Sequence, residues 1–265
     1  MSLNPNVLEC FDAEVRKEKE ILAPDYRQEF DGQVRRTVGR FASASHNWID
    51  YFELAATEIG EAIAKQVAHF ESIGHSFRWK IYSHDQPVQL SKALLDRGFR
   101  PCEPCTLMIL DVVGFQARLP DGIEFRRVSD PDALPDELRP IKETVWDEGA
   151  DELMSALRAE MRAEMRDMGD HMRIHVAKRG SETVGCGLIR FNERKTFGGL
   201  FAGATVPAER GKGVYRGLVA TRVEDARQSK TDYLYVEAGS MSRPILKRLG
   251  FATVATVTNY AFEVS

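Results

Sequence analysis

The chain has few cysteines, no long apolar run and almost no net charge, and each shortage removes a class of protein. Its four cysteines, Cys10, Cys102, Cys105 and Cys186, are too few and too unevenly placed to frame a small secreted disulfide scaffold. Cys102-Glu103-Pro104-Cys105 has the gap of half a zinc site. No second Cys or His pair has metal spacing, and a tetrahedral site takes four ligands, so no metal is expected. Nowhere do eighteen apolar residues follow one another, which argues against a membrane-spanning helix, and Met1 to Asp12 hold no apolar core of a signal peptide. Lys plus Arg is 36 against 40 Asp plus Glu, a net charge of −4, so no whole-surface nucleic-acid binder is expected, although a local basic site stays open. A reducing cytoplasm is the expected location.

What is present is an ordinary globular composition, 43% hydrophobic and 29% charged, over 265 residues, a length between one domain and two. Asn4-Pro5 starts a helical stripe of Val7, Leu8, Phe11, Val15, Ile21 and Leu22. Ile59, Ile63, Val67 and Phe70 predict a helix over 56–73, and Phe77 to Tyr82 predict a strand. A helix from Val88 to Asp96, closed by Gly98, and a strand from Thr106 to Val113 follow. Residues 114–122 read as a linker. Beyond it come a strand at Ile123 to Val128, a helix capped by Ser129-Asp130-Pro131 and reaching Trp146, and a helix from Asp151 to Met168. Strands at 173–178, 183–191 and 197–206, a helix at 214–229, a strand at 233–238, a helix at 243–249 and a strand at 253–264 complete the order. That order is α+β, with a mostly antiparallel start and one right-handed crossover.

The end of the first region mirrors the end of the second. A strand at 77–82, a helix, Gly98-Phe99 and a strand on one side match a strand at 233–238, a helix, Gly250-Phe251 and a strand on the other. The helix at 56–73 then corresponds to that at 214–229, but nothing glycine-rich precedes it.

The most informative stretch is Thr205-Val206-Pro207-Ala208-Glu209-Arg210-Gly211-Lys212-Gly213-Val214-Tyr215-Arg216-Gly217-Leu218. A strand runs out at a proline, and two glycines let the backbone turn tightly into a helix whose first amides converge. Free N–H groups, the positive helix end and Arg210, Lys212 and Arg216 make a site for a phosphate or pyrophosphate. A Walker A loop needs Ser or Thr after Gly-Lys, and here Gly213 follows Lys212. A dinucleotide fold sets its glycines directly after the strand, and too little chain follows Glu237 for the rest of a doubly wound sheet.

The segment resembles motif A of the GNAT superfamily of acyl-CoA-dependent N-acetyltransferases, Arg/Gln-x-x-Gly-x-Gly/Ala, through Arg210, Gly213 and the preceding Val206-Pro207. Tyr215 stands where the family has Gly or Ala. Ser242-Arg243-Pro244-Ile245-Leu246-Lys247-Arg248-Leu249-Gly250-Phe251 resembles the family's motif B helix. The resemblance implies an α+β (α/β-type) fold with a mixed, mostly antiparallel sheet flanked by helices, in two related halves. Residues 1–113 are then a degenerate half without the phosphate loop, 114–122 the linker and 123–265 the acetyltransferase domain.

By the same resemblance, acetyl-CoA is the cosubstrate and a small-molecule or peptide amine the acceptor. Its pyrophosphate lies on amides from Arg210, Gly211, Lys212, Gly213, Val214, Tyr215 and Arg216, and its pantetheine arm along Ala204-Thr205-Val206. The Val206 N–H polarises the thioester carbonyl, and Glu237 stands where some members keep the base that deprotonates the amine. A solvated strand-end carboxylate explains Glu237 equally well. The family often has a tyrosine acid five residues before the Phe of Leu-Gly-Phe, and here that residue is Leu246. Tyr215, Tyr235 or water then protonates the sulfur, or no acid is needed. A coenzyme-sensing module without turnover is the alternative, and a dinucleotide-binding protein a weaker one. A methionine stripe, Met154, Met161, Met165, Met168 and Met172, reads as core, or as a wall of the acceptor site. Asp147, Glu148, Asp151 and Glu152 just before it either attract a cationic amine or solvate a helix start. Monomer and homodimer are both open.

Overall fold

The computed structural model describes residues 3–18, 25–145, 161–163 and 165–264. In chain order its elements are α1 (Val7–Phe11), a π-helical turn (Asp12–Lys17), β1 (Arg27–Asp31), β2 (Val34–Val38), β3 (Asn47–Phe52), α2 (Ile59–Ser72), β4 (Phe77–Tyr82), α3 (Leu90–Asp96), β5 (Arg100–Pro101) and β6 (Cys105–Asp111). After them come β7 (Glu124–Val128), α4 (Leu134–Val145), β8 (Met172–Arg179), β9 (Glu182–Phe191), β10 (Phe197–Thr205), α5 (Val214–Gln228), β11 (Tyr233–Ala238), α6 (Arg243–Arg248) and β12 (Ala252–Phe262). Most elements read from periodicity are present with ends within two or three residues. The expected helix at 151–168 lies largely outside the described residues, as do Trp146, Asp147, Glu148, Asp151, Glu152 and Met154. The first helix is shorter than its apolar stripe implies: α1 passes into the π turn, which ends at Glu18 in extended backbone.

The chain folds as two compact units that do not follow chain order. The first holds Asn6–Met108 with Glu237–Arg243 and Thr253–Ser265, and the second holds Ile109–Val236 with Pro244–Ala252 and Met1–Pro5. The division expected from sequence, 1–113 against 123–265, is corrected accordingly. Its physical reason is β12, which pairs antiparallel along β4, from Val257 opposite Tyr82 to Phe262 opposite Phe77. The last strand of the chain thus completes the sheet of the first unit.

In the first unit β1, β2 and β3 form an antiparallel meander, and β4 joins β3 in parallel after the crossover helix α2. Ile59, Ile63, Val67 and Phe70 turn one stripe of α2 inward, where Phe70 stacks on Phe77 at 4.2 Å beside Trp79, Leu90 and Leu94. In the second unit β7, β8, β9 and β10 are antiparallel neighbours, and β11 joins β10 in parallel after α5. Leu218 of α5 packs with Val214, Ala177 and Val184, against Ile123, Phe125 and Val206, and Leu134, Leu138 and Ile141 bury the stripe of α4.

Both units therefore run antiparallel strands, crossover helix, parallel strand, short helix. The short helices end alike. Gly98 and Gly250 both have φ of +94°, and the N–H of Phe99 and of Phe251 donates to the carbonyl of Leu94 and of Leu246, each at 3.1 Å. The halves share this local architecture in detail; only the second has a glycine turn before its crossover helix.

Candidate active site

The glycine turn is built as its residues require. After β10, Pro207–Glu209 make one 3₁₀ turn, Arg210 is extended, and Gly211 and Gly213 take φ of +77° and +86°. Those left-handed angles are strained for any residue with a Cβ, which is why two glycines stand here. Gly213 serves as the N-cap of α5 without a side-chain cap, so the amides of the first turn, Val214 to Arg216, have no carbonyl partner within the helix. Gly217 lets this helix end settle against β7, because a Cβ there would overlap the Phe125 ring. Arg210, Lys212 and Arg216 are exposed around the amides. Lys212 also reaches Glu209 at 3.1 Å, as does Arg179 at 2.8 Å, and these hydrogen bonds hold the half-buried Glu209 carboxyl below the usual carboxylate range. A positive helix end ringed by three exposed cations fits a pyrophosphate.

β10 leads into this turn with one side unpaired over its second half. Its pairing to β11 covers Phe197–Gly199 among the described residues, and its register to β9 shifts between Phe201 and Ala204, where Ala202 has φ of +49°. The Val206 N–H donates to the Val184 carbonyl at 3.0 Å. That amide is committed to the β9 side, so the donor role expected of Val206 does not fit this geometry. N–H directions alternate along a strand, which turns the amide of Thr205 to the opposite edge; its carbonyl on that side accepts from Arg210 Nε at 3.3 Å. Ala204 is buried against β9, and the Tyr215 ring lies over Gly203, where a Cβ would meet it at 2.9 Å. Of the tyrosines named as acids, Tyr215 therefore sits at this edge, while Tyr235 packs against Gly199 and Phe201. Leu246 is fully buried, a core position like Leu94 in the first half.

Glu237, near the end of β11, belongs to the first unit. Its carboxylate accepts from Lys80 Nζ at 2.8 and 3.0 Å and from the Tyr82 hydroxyl at 2.7 Å. Burial pushes this carboxyl up, but the Lys80 ammonium and the hydrogen bonds from Lys80 and Tyr82 outweigh it and hold the group below the usual range. It is a paired carboxylate and not the solvated strand end that its position equally allowed. Lys80 and Tyr82 were not singled out from the sequence. The available signal was two polar-tipped residues at alternate positions of one strand, hence on one face.

Other candidates resolve simply. Met161, Met168 and Met172 are buried, as core reading implied. Cys186 is buried, with its thiol pushed up to about 12, chiefly by burial. His175 pairs with Asp225 at 3.1 Å and shares no site with His171, and no group able to hold a metal ion exists among the described residues.

Residues 133–251 match the profile of the acetyltransferase (GNAT) family. This segment is similar to a GNAT acetyltransferase domain. Solved structures extend the likeness of fold to nearly the whole chain. The GCN5-related N-acetyltransferase from Kribbella flavida, 11% identical, superposes with a TM-score of 0.69 over 98% of this chain and 96% of its own. A GCN5-related N-acetyltransferase from Sphaerobacter thermophilus, also 11% identical, gives 0.64 over 89% and 82%. A tandem GNAT protein from the clavulanic acid biosynthesis pathway, 14% identical, gives 0.61 over 92% and 85%. No curated protein matches the sequence. The matched segment includes the glycine turn, β11 and α6, and the fold class expected from sequence, a mostly antiparallel sheet flanked by helices, is the one found.

Proposed function

We propose that the protein transfers an acetyl group from acetyl-CoA to a primary amine, in one direct step, with the coenzyme held by the second half only. The observation that carries this reading is the turn from Arg210 to Arg216, whose first-helix amides and three exposed cations suit a pyrophosphate. Acetyl-CoA supplies the acetyl group as a thioester. The unpaired edge at Ala204 to Val206 receives the pantetheine arm, and the Thr205 amide, in place of Val206, faces the oxygen on which charge develops. The amine nitrogen forms a bond to the carbonyl carbon, the carbon–sulfur bond breaks, the nitrogen's surplus proton passes to Glu237, and the thiolate takes a proton from water or Tyr215.

No described helix is long and apolar enough to cross a membrane. With its cysteines free, the protein suits the cytoplasm, acting on a small-molecule or peptide amine as monomer or homodimer. The second reading, a coenzyme sensor without turnover, draws on the burial of Leu246 where the family often has an acid.

Incubation with acetyl-CoA and a panel of amines in the presence of a thiol-trapping dye separates the two. Amine-dependent release of coenzyme thiol is expected, and Arg210→Ala is expected to weaken acetyl-CoA binding about tenfold, the worth of one hydrogen bond to a charged group. Binding without amine-dependent release favours the sensor. Thermal stabilisation by NADP and not by acetyl-CoA sinks both.

A further inference from the structure

Glu237 is the only site residue named from sequence that falls in the first unit, and every group recorded against it comes from the degenerate half. Lys80 and Tyr82 stand at alternate positions of β4, opposite Asn259 and Val257 of β12, and both donate to its carboxylate. Oε1 receives Lys80 and Tyr82, while Oε2 receives Lys80 alone, at 3.0 Å. A carboxylate oxygen has two lone-pair sites, so Oε2 keeps one for an incoming proton.

Tyr82 is itself fixed. The Arg16 guanidinium lies 4.0 Å from the centroid of its ring, and Arg16 is clamped by Asp85 through two hydrogen bonds of 2.8 and 2.9 Å. Asp85 Oδ2 also accepts the backbone N–H of Tyr82 at 2.8 Å, and Arg16 Nε donates to the Asp50 carbonyl at 3.0 Å. Arg16 and Tyr82 are both almost fully buried. Buried ion pairs of this kind add little net stability over a packed apolar set, whereas they do specify one arrangement. What is specified here is where the Tyr82 hydroxyl points.

We propose that Lys80 and Tyr82 of the degenerate half are positioning residues that anchor and aim the Glu237 carboxylate for proton transfer from the amine. The inference rests on the reading of Glu237 as base. The charged and titratable groups acting on Glu237 are Lys80 and Tyr82 from β4, Arg16 from the π-helical turn, and Cys105 from β6, with Asp50 of β3 acting on Tyr82. Burial and the neighbouring Glu237 carboxylate push the Tyr82 hydroxyl well above its ordinary range, so it stays a donor and does not compete for the proton.

The test uses the full chain labelled with carboxyl-¹³C glutamate, the Glu237 signal being the one lost in Glu237→Gln. Its titration midpoint is expected to move to higher pH in Lys80→Met, to move less in Tyr82→Phe, and to return in Lys80→Arg. The rate of thiol release from acetyl-CoA with the same amine panel is expected to follow: in Lys80→Met it falls about tenfold at pH 6 and by a smaller factor at pH 8.5, with KM for acetyl-CoA unchanged. Full activity in Glu237→Gln would overturn the base reading and this inference with it. If Glu237→Gln is inactive, and folded Lys80→Met and Tyr82→Phe leave both midpoint and pH profile where they were, the positioning role alone is overturned.

Discussion

Asp225 shows how much a single buried carboxylate contributes here. It lies on α5 and meets Arg173 at 3.0 Å and His175 at 3.1 Å, and all three side chains are about nine-tenths buried. Burial pushes its carboxyl up, yet hydrogen bonds and charge from His175 and Arg173 bring it below the usual value. A carboxyl depressed in the folded state stabilises fully above its unfolded pKa, about 3.9, and that contribution fades as pH falls toward the native value. Asp225→Ala should therefore cost about 3–5 kcal/mol in urea unfolding at pH 7, and the gap to the parent should narrow below about pH 4. A gap that is constant across pH would mean that the loss is one of packing. At this scale the sequence was legible where chemistry is local. The glycine turn declares itself because Arg210, Gly211, Lys212 and Gly213 are contiguous. The partners of Glu237 do not, because Lys80 is 157 positions away along the chain. The parity of the β10 edge was also hidden: past the bulge the Val206 amide faces β9, where it donates to the Val184 carbonyl.

Among the elements, α5 is the one that fixes the coenzyme site, and its seat on β7 depends on Gly217. A side chain at that position would drive into Phe125 and lift the helix start, carrying the amides of Val214 to Arg216 with it. Gly217→Val is expected to destabilise by at least about 2–3 kcal/mol by urea unfolding and to weaken acetyl-CoA binding more than Arg210→Ala does, since it displaces several donors at once. Normal affinity in a folded Gly217→Val protein would separate the helix seat from the site. β4, α5 and β11 were readable almost to the residue, and α2 to within three. The meander β1 to β3 was not read. β1 is Arg-Gln-Glu-Phe-Asp, with no inward alternation to reveal it, and β2 buries charged Arg35 against Asp50 at 2.8 Å, a pairing that only tertiary structure supplies. A local signal existed in Asp31-Gly32, whose φ of +61° at Gly32 is typical of a hairpin turn.

At the scale of the molecule, chain order and compact units part company at β12. The strand covers β4 from Phe77 to Tyr82, and Tyr260 stands opposite the fully buried Trp79. Deleting residues 253–265 leaves that edge bare, so the first unit is expected to lose its native tryptophan fluorescence and to associate with increasing concentration. Unchanged emission and a monomeric elution volume would show that the first unit stands without its last strand. The boundary was missed from sequence because a linker signal at 114–122 reports only where the chain is irregular. Which strand lies beside which is decided by edges that stay open until something reaches them. The same feature sets a timetable for synthesis. Most domains finish folding as soon as their own segment emerges, but here an early segment must wait for a strand made about 145 residues later. At about 5–20 residues per second the interval from Met108 to Thr253 is on the order of ten seconds, through which the ribosome carries a sheet with an unclosed side, a natural client for a chaperone.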